Sequence, residues 1–143
     1  MITRMIKLNI CSKKFIDEMI MKKIIFLKHT NSNQNNKILG FFYAYDIDNV
    51  INYYSKLPGF SSNQKGFDTS KSICSDNDFV FLLQVWNEDN DEQVFLEELF
   101  TNEEDANMYL KKYSIENDMT KKAFQIEKYT INKKYWIDGY VTC

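Results

Sequence analysis

The chain has 143 residues, 44% hydrophobic and 15% aromatic, with four glycines, one proline and a net charge of −2. That apolar load excludes an intrinsically disordered chain, the length allows one compact domain or two fused halves, and the weakly acidic balance argues against a basic nucleic-acid-binding domain. Three cysteines, Cys11, Cys74 and Cys143, show neither CxxC spacing nor a pairing histidine, so no disulfide framework or zinc site is predicted and a reducing cytoplasm is the expected compartment.

In residues 1–20, Lys13, Lys14, Asp17 and Glu18 interrupt the apolar positions, which excludes a secretory signal or a membrane-spanning helix. Met21 opens the regular pattern directly, leaving 1–20 as an N-terminal extension. Residues 22–29, rich in Ile and Phe, read as a buried strand. The polar run Asn31–Asn36 turns the chain, and Ile38–Ala44 returns as the hairpin partner. Asp46 is positioned to cap a helix that gathers Ile47, Val50, Tyr54 and Leu57 on one face and stops at Pro58-Gly59. Residues 60–78 are polar, a return loop with a short strand near Phe67–Ile73, and form the candidate boundary between halves.

The second half repeats the plan. Phe79–Trp86 is a strand, Asn87–Glu92 an acidic turn and Gln93–Phe100 the returning strand. Thr101 and Glu104 have capping-box spacing ahead of a helix with Ala106, Tyr109, Leu110 and Tyr113 on its packing face. Phe124–Ile131 is extended, with a slip in alternation near Tyr129 and Thr130 where a bulge is expected. Ile25-Phe26-Leu27 matches Val80-Phe81-Leu82, Asp46 matches Asn102, Tyr53 matches Tyr109 and Lys56 matches Lys112, a period of roughly 55 residues. The predicted class is α+β: tandem ββα(β) repeats over 21–75 and 76–143 forming a single compact unit. Their antiparallel sheets carry helices on one face in a pseudo-twofold arrangement, and the second repeat keeps an aromatic C-terminal tail.

Gly40-Phe41-Phe42-Tyr43, Leu57-Pro58-Gly59-Phe60 and Gly66-Phe67, with Tyr129, Trp136, Gly139 and Tyr140 near the end, resemble a family of small, functionally uncharacterised bacterial and phage domains. Members run strand, strand, helix, LPGF, GF, then a strand ending in W-x-x-G-F/Y. The resemblance covers about two-thirds of the chain and implies two copies, each lacking a different end. No Pro precedes Gly66, and the second half has no Pro-Gly-Phe after its helix. The resemblance implies the fold above and no catalytic residues.

Chemistry-bearing motifs are sparse. His29, the sole histidine, has no nucleophile or orienting acid nearby in sequence. The glycines are too dispersed for a phosphate loop, and the acids of 88–92 lack the central glycine of a calcium loop, so no cofactor or metal is predicted. Phe41, Tyr43, Tyr53, Tyr129, Tyr135, Trp136 and Tyr140 offer rings on which the bases of a single-stranded nucleic acid could stack, with Lys128, Lys133 and Lys134 to bind its phosphates, but core packing explains most of them. Charge is strongly asymmetric: thirteen acids and two lysines lie between Asp76 and Asp118. Glu88, Asp89, Asp91, Glu92, Glu103 and Glu104 are expected to converge into one negative surface, and Trp136 is either a lid on the core or an exposed anchor.

The function expected is a non-enzymatic, protein-binding inhibitor, of the immunity-protein, antitoxin or phage anti-defence kind, docking that acidic surface on a cationic partner such as a nuclease toxin. The alternative is a ligand-sensing regulatory module with an aromatic pocket between the repeats.

Overall fold

The computed structural model describes residues 22–32, 36–60 and 65–140. The predicted N-terminal extension, Cys11 and Cys143 lie outside the described residues. The chain divides into two compact units, one comprising residues up to Asp76 together with the segment from Thr130 onward, the other Asn77–Tyr129.

Unit 1 is built on β1 (Lys22–Thr30), β2 (Asn36–Tyr43), α1 (Ile47–Ser55) and β3 (Phe67–Ser75). The antiparallel sheet has the order β2-β1-β3, which places β1 in the middle. Its four consecutive buried residues, Ile24 to Leu27, are the continuous apolar run of a strand covered on both faces. Cross-strand partners Phe26 and Phe41 stack with centroids 4.6 Å apart. On the opposite face Leu27, Leu39 and Phe42 pack with Val50, Ile51 and Tyr54 of α1 and with Phe60. Register shifts at Leu27/Lys28 mark a bulge on both sides of β1.

Two details of α1 differ from expectation. Its regular part ends at Ser55, because the Lys56 and Leu57 amides bond back to the Tyr53 and Tyr54 carbonyls and tighten the last turn. Asp46 sits at the N-cap position but has helical dihedrals and no capping bond, since a 3-10 turn over Ala44–Asp46 precedes the helix. The Asp46 carboxylate instead accepts from Asn49 Nδ2 at 3.2 Å.

Unit 2 repeats the topology. β4 (Phe79–Asn87) lies between β5 (Asn90–Phe100), antiparallel to it, and β6 (Lys122–Thr130), and α2 (Glu103–Glu116) connects β5 to β6. Two hairpins, each followed by a helix and a third strand that joins the far side of the first, are the ββα(β) repeats predicted from the sequence. The α2 cap is Asn102 rather than Thr101: its backbone is extended (φ −147°, ψ 160°) and its Oδ1 accepts the Asp105 N–H at 2.8 Å. Of the four residues expected to pack, only Ala106 is buried; Tyr109 tilts against Phe100 at 5.4 Å.

The main correction concerns the C-terminal tail. It is not part of the second repeat; it packs on unit 1. The Asn132 N–H donates to the Phe41 carbonyl at 2.7 Å and Tyr135 N–H to Leu39 at 3.0 Å, so the tail occupies the outer edge of β2. The Tyr54 hydroxyl, inside unit 1, shares its one proton between the Leu39 and Tyr135 carbonyls, and its deprotonation is pushed well above the ordinary phenol range by burial. The slip at Tyr129–Thr130, expected to be a bulge, is where the chain leaves unit 2. Cys74 is disulfide-bonded, one bridge where the cysteine spacing predicts none. No helix among the described residues is long and apolar enough to cross a membrane.

Candidate ligand cleft around His29

His29 lies near the end of β1 on the face that carries α1, and it is 1% exposed. Three separate segments bring an aromatic ring against its imidazole. Phe60, from the loop after α1, lies 4.7 Å away by ring centroid; Phe67, at the start of β3, lies at 4.5 Å; Tyr140, from the tail, lies at 5.6 Å. Each ring directly follows a glycine, and at two of these the reason is steric. Gly66 has φ +94°, and a Cβ there would stand 2.6 Å from the Thr30 carbonyl and 2.8 Å from His29 Nε2; Gly59 has φ +85°, with Tyr140 Cβ 2.5 Å from the equivalent point. Only glycine lets the backbone approach this closely with a left-handed conformation.

Hydrogen bonding fixes the imidazole. Tyr140 Oη lies 2.8 Å from His29 Nδ1 and 3.2 Å from the His29 carbonyl. A phenol has one proton: given to the carbonyl, it leaves Oη to accept from Nδ1–H; given to Nδ1, it goes with the Nε2–H tautomer. Among the described residues Nε2 is buried without a hydrogen-bond partner, although the Lys65 backbone is near enough to favour the protonated ring; desolvation outweighs it and holds the His29 pKa below its ordinary value. Burial pushes the Tyr140 phenol the other way, upward.

Beside His29 opens a cleft of about 510 Å³. Phe60, Gly59 and Gly66 form its apolar side, Thr30, Asn31 and Ser32 its polar lip, and Lys65 supplies a cation. Its volume is in the range of small-ligand sites. Among the described residues no acid or thiol lines it, and no three His, Cys, Asp or Glu side chains form a metal-ligating group. A buried imidazole held by a phenol, without an orienting carboxylate, is equipped to recognise a ligand by shape and hydrogen bonding.

The predicted acidic contacts do not meet in one place. Glu88 and Asp89 are exposed in the β4–β5 turn and Asp91 at the start of β5; Glu103 and Glu104 are exposed in the first turn of α2. The side chain of Glu92 lies outside the described set. β5 separates the two groups, and eleven strand residues at about 3.3 Å each put them roughly 30 Å apart at opposite ends of the hairpin. Glu103 and Glu104 are accounted for by the helix dipole. Asp91 borders only a shallow depression with Gln84, Trp86 and Val94.

Trp136 belongs to unit 1. It is 43% exposed with φ +58°, and the Lys37 ammonium stands 3.5 Å from its ring centre and 4.9 Å from that of Tyr140. Sequence reasoning discounted His29 because it sought catalytic partners. The missed signal was simple: every glycine in the chain precedes an aromatic residue, and three of these four aromatics converge on the imidazole. No family model, curated protein or solved structure matches the chain.

Proposed function

We propose that the chain is a non-enzymatic ligand-binding module whose site is the His29 cleft of unit 1. This is the ligand-sensing alternative drawn from the sequence, with its pocket inside one repeat rather than between two. The observation that carries it is a fully buried imidazole, fixed by Tyr140 and lacking a partner at Nε2 among the described residues, beside a cleft large enough for a small molecule. Burying a polar nitrogen without a partner costs stability, and such sites persist where occupancy supplies the missing contact. A thermal-shift screen of metabolites is the test: a ligand specific to the folded protein raises Tm, and a ligand of this cleft loses that effect in His29→Phe. A hit whose shift survives that substitution places binding elsewhere.

Docking to a cationic protein partner remains the second proposal, supported by unit 2 carrying thirteen acids against five lysines. Its two acidic ends are then separate contacts. Reversing Glu88, Asp89 and Asp91 together slows association with such a partner at low salt without help from Glu103 or Glu104; an unchanged rate removes this proposal.

A further inference from the structure

The weakly acidic net charge of the chain is the sum of two unlike parts. The sequence outside Asn77–Tyr129 holds thirteen bases against seven acids, so the field of unit 1 attracts anions although the whole chain is acidic. Along the outer edge of β2, where the tail runs opposite to the strand, lysines and aromatic rings alternate. The Lys37 ammonium stands over Trp136, Lys133 lies 5.2 Å from the Tyr135 ring centre and Lys134 5.2 Å from that of Tyr53 on α1. At the far end of β2, Tyr45 stacks on Tyr43 with centroids 5.4 Å apart, and Lys22 lies over the Tyr43 ring. Tyr45 is 76% exposed, Trp136 43% and Tyr53 39%. Among the described residues Lys22, Lys37, Lys133 and Lys134 form no ion pair, and Asp138, the one acid of the tail, is exposed and pairs with none of them. Trp136 holds its half-open ring at φ +58°, a costly backbone for a bulky residue that persists where the side chain is needed in one place.

We infer that this edge of unit 1 binds single-stranded nucleic acid, its bases stacked on Trp136, Tyr53 and Tyr45 and its phosphates held by Lys22, Lys37, Lys133 and Lys134. Exposed rings set between cations hold a single strand without reading its sequence. Lys37 and Tyr43, six residues apart on β2, put the ends of the strip roughly 20 Å apart at about 3.3 Å per residue, room for several nucleotides. An ammonium resting on an exposed ring makes a weak contact. Turning it to a phosphate while a base takes its place on the ring exchanges that contact for a charge-assisted hydrogen bond and a stacked pair. A duplex keeps its base faces inside its own stack, and an acidic peptide uses the lysines but not the rings. None of Trp136, Tyr53 and Tyr45 lines the His29 cleft, so this surface is tested independently of it.

Trp86→Phe leaves Trp136 as the sole tryptophan, and its fluorescence is followed at low salt during four titrations. The probes are an oligothymidylate of about twelve nucleotides, within the range of single-strand site sizes, an abasic strand of equal length, a duplex of equal length and polyglutamate. The oligothymidylate is expected to quench Trp136 saturably, with each of the other three at least tenfold weaker. Combining Lys37→Gln, Lys133→Gln and Lys134→Gln is expected to weaken oligothymidylate at least tenfold and to lower the slope of log affinity against log salt by about two, at about 0.7 per phosphate contact. An unfolding midpoint in urea close to that of the parent shows that the variant is folded, and the comparison of probes in the parent stands without it. Equal binding of oligothymidylate and the abasic strand, tighter binding of the duplex or of polyglutamate than of oligothymidylate, or Trp136 fluorescence that no probe changes, overturns the assignment.

Discussion

Units 1 and 2 share strand order and helix placement yet are filled in opposite ways. In unit 1 the helix buries Val50, Ile51 and Tyr54 and joins a continuous core reaching Phe60. In unit 2 the helix buries Ala106 alone, leaving Met108 and Ile115 66% and 77% exposed. The difference shows that the ββα(β) pattern sets topology, while a site requires further parts. Unit 1 has them: all four glycines of the chain, the loops they shape, and a tail that returns to cover one side of its histidine. Unit 2 has none of these, and its chemistry is confined to surface charge.

The contrast is broken most forcefully by removing a ring from each unit. Phe60→Ala is expected to cost about 3–5 kcal/mol, whereas Phe124→Ala, at a side chain 56% exposed, stays within about 0.5 kcal/mol. Urea unfolding resolves the two, because Trp136 reports unit 1 and Trp86 unit 2; each is read alone after Trp→Phe replacement of the other. Comparable losses at both sites contradict the difference in packing.

Gly66→Ala comes next. It places a methyl group against His29 and the Thr30 carbonyl at a left-handed position, for an expected loss of about 1–3 kcal/mol seen in the Trp136 signal. Tyr54→Phe removes the donor to the Leu39 and Tyr135 carbonyls and is expected to cost about 1–2 kcal/mol. Hydrogen exchange should show the Tyr135 amide opening more readily while unit 2 amides keep their protection. The smallest effect belongs to unit 2: Asn102→Ala removes the α2 cap and costs about 1 kcal/mol, read as faster exchange in the first turn of α2.

Much of the fold was legible because local pattern and tertiary structure agree. The apolar run at Ile24–Leu27, the acidic turn after Trp86 and the spacing of Val50 and Tyr54 each specify one element. The destination of the tail was not legible. Tyr129 and Ile131 continue the β6 pattern in sequence, and nothing local records that the β2 edge, about ninety residues earlier in the chain, accepts the amides that follow. The site was hidden for a related reason: His29, Phe60, Phe67 and Tyr140 come from four segments, joined only once that edge is filled. Grouping the acids by sequence proximity misled for the converse reason, since a hairpin strand carries neighbours in sequence to opposite ends of a sheet.

The closure of the tail on a desolvated imidazole is most directly tested by an NMR pH titration of His29 in the full chain and in Tyr140→Phe. The account predicts a ring in the parent protein that titrates below the ordinary value of 6.5 and changes tautomer balance when the phenol is removed. The sign for stability follows: the unfolded ring takes up a proton that the native ring resists, so the contribution of His29 is complete above about pH 6.5 and is lost as pH falls through the native pKa. A ring that titrates at or above 6.5, with a tautomer balance indifferent to Tyr140, would contradict it.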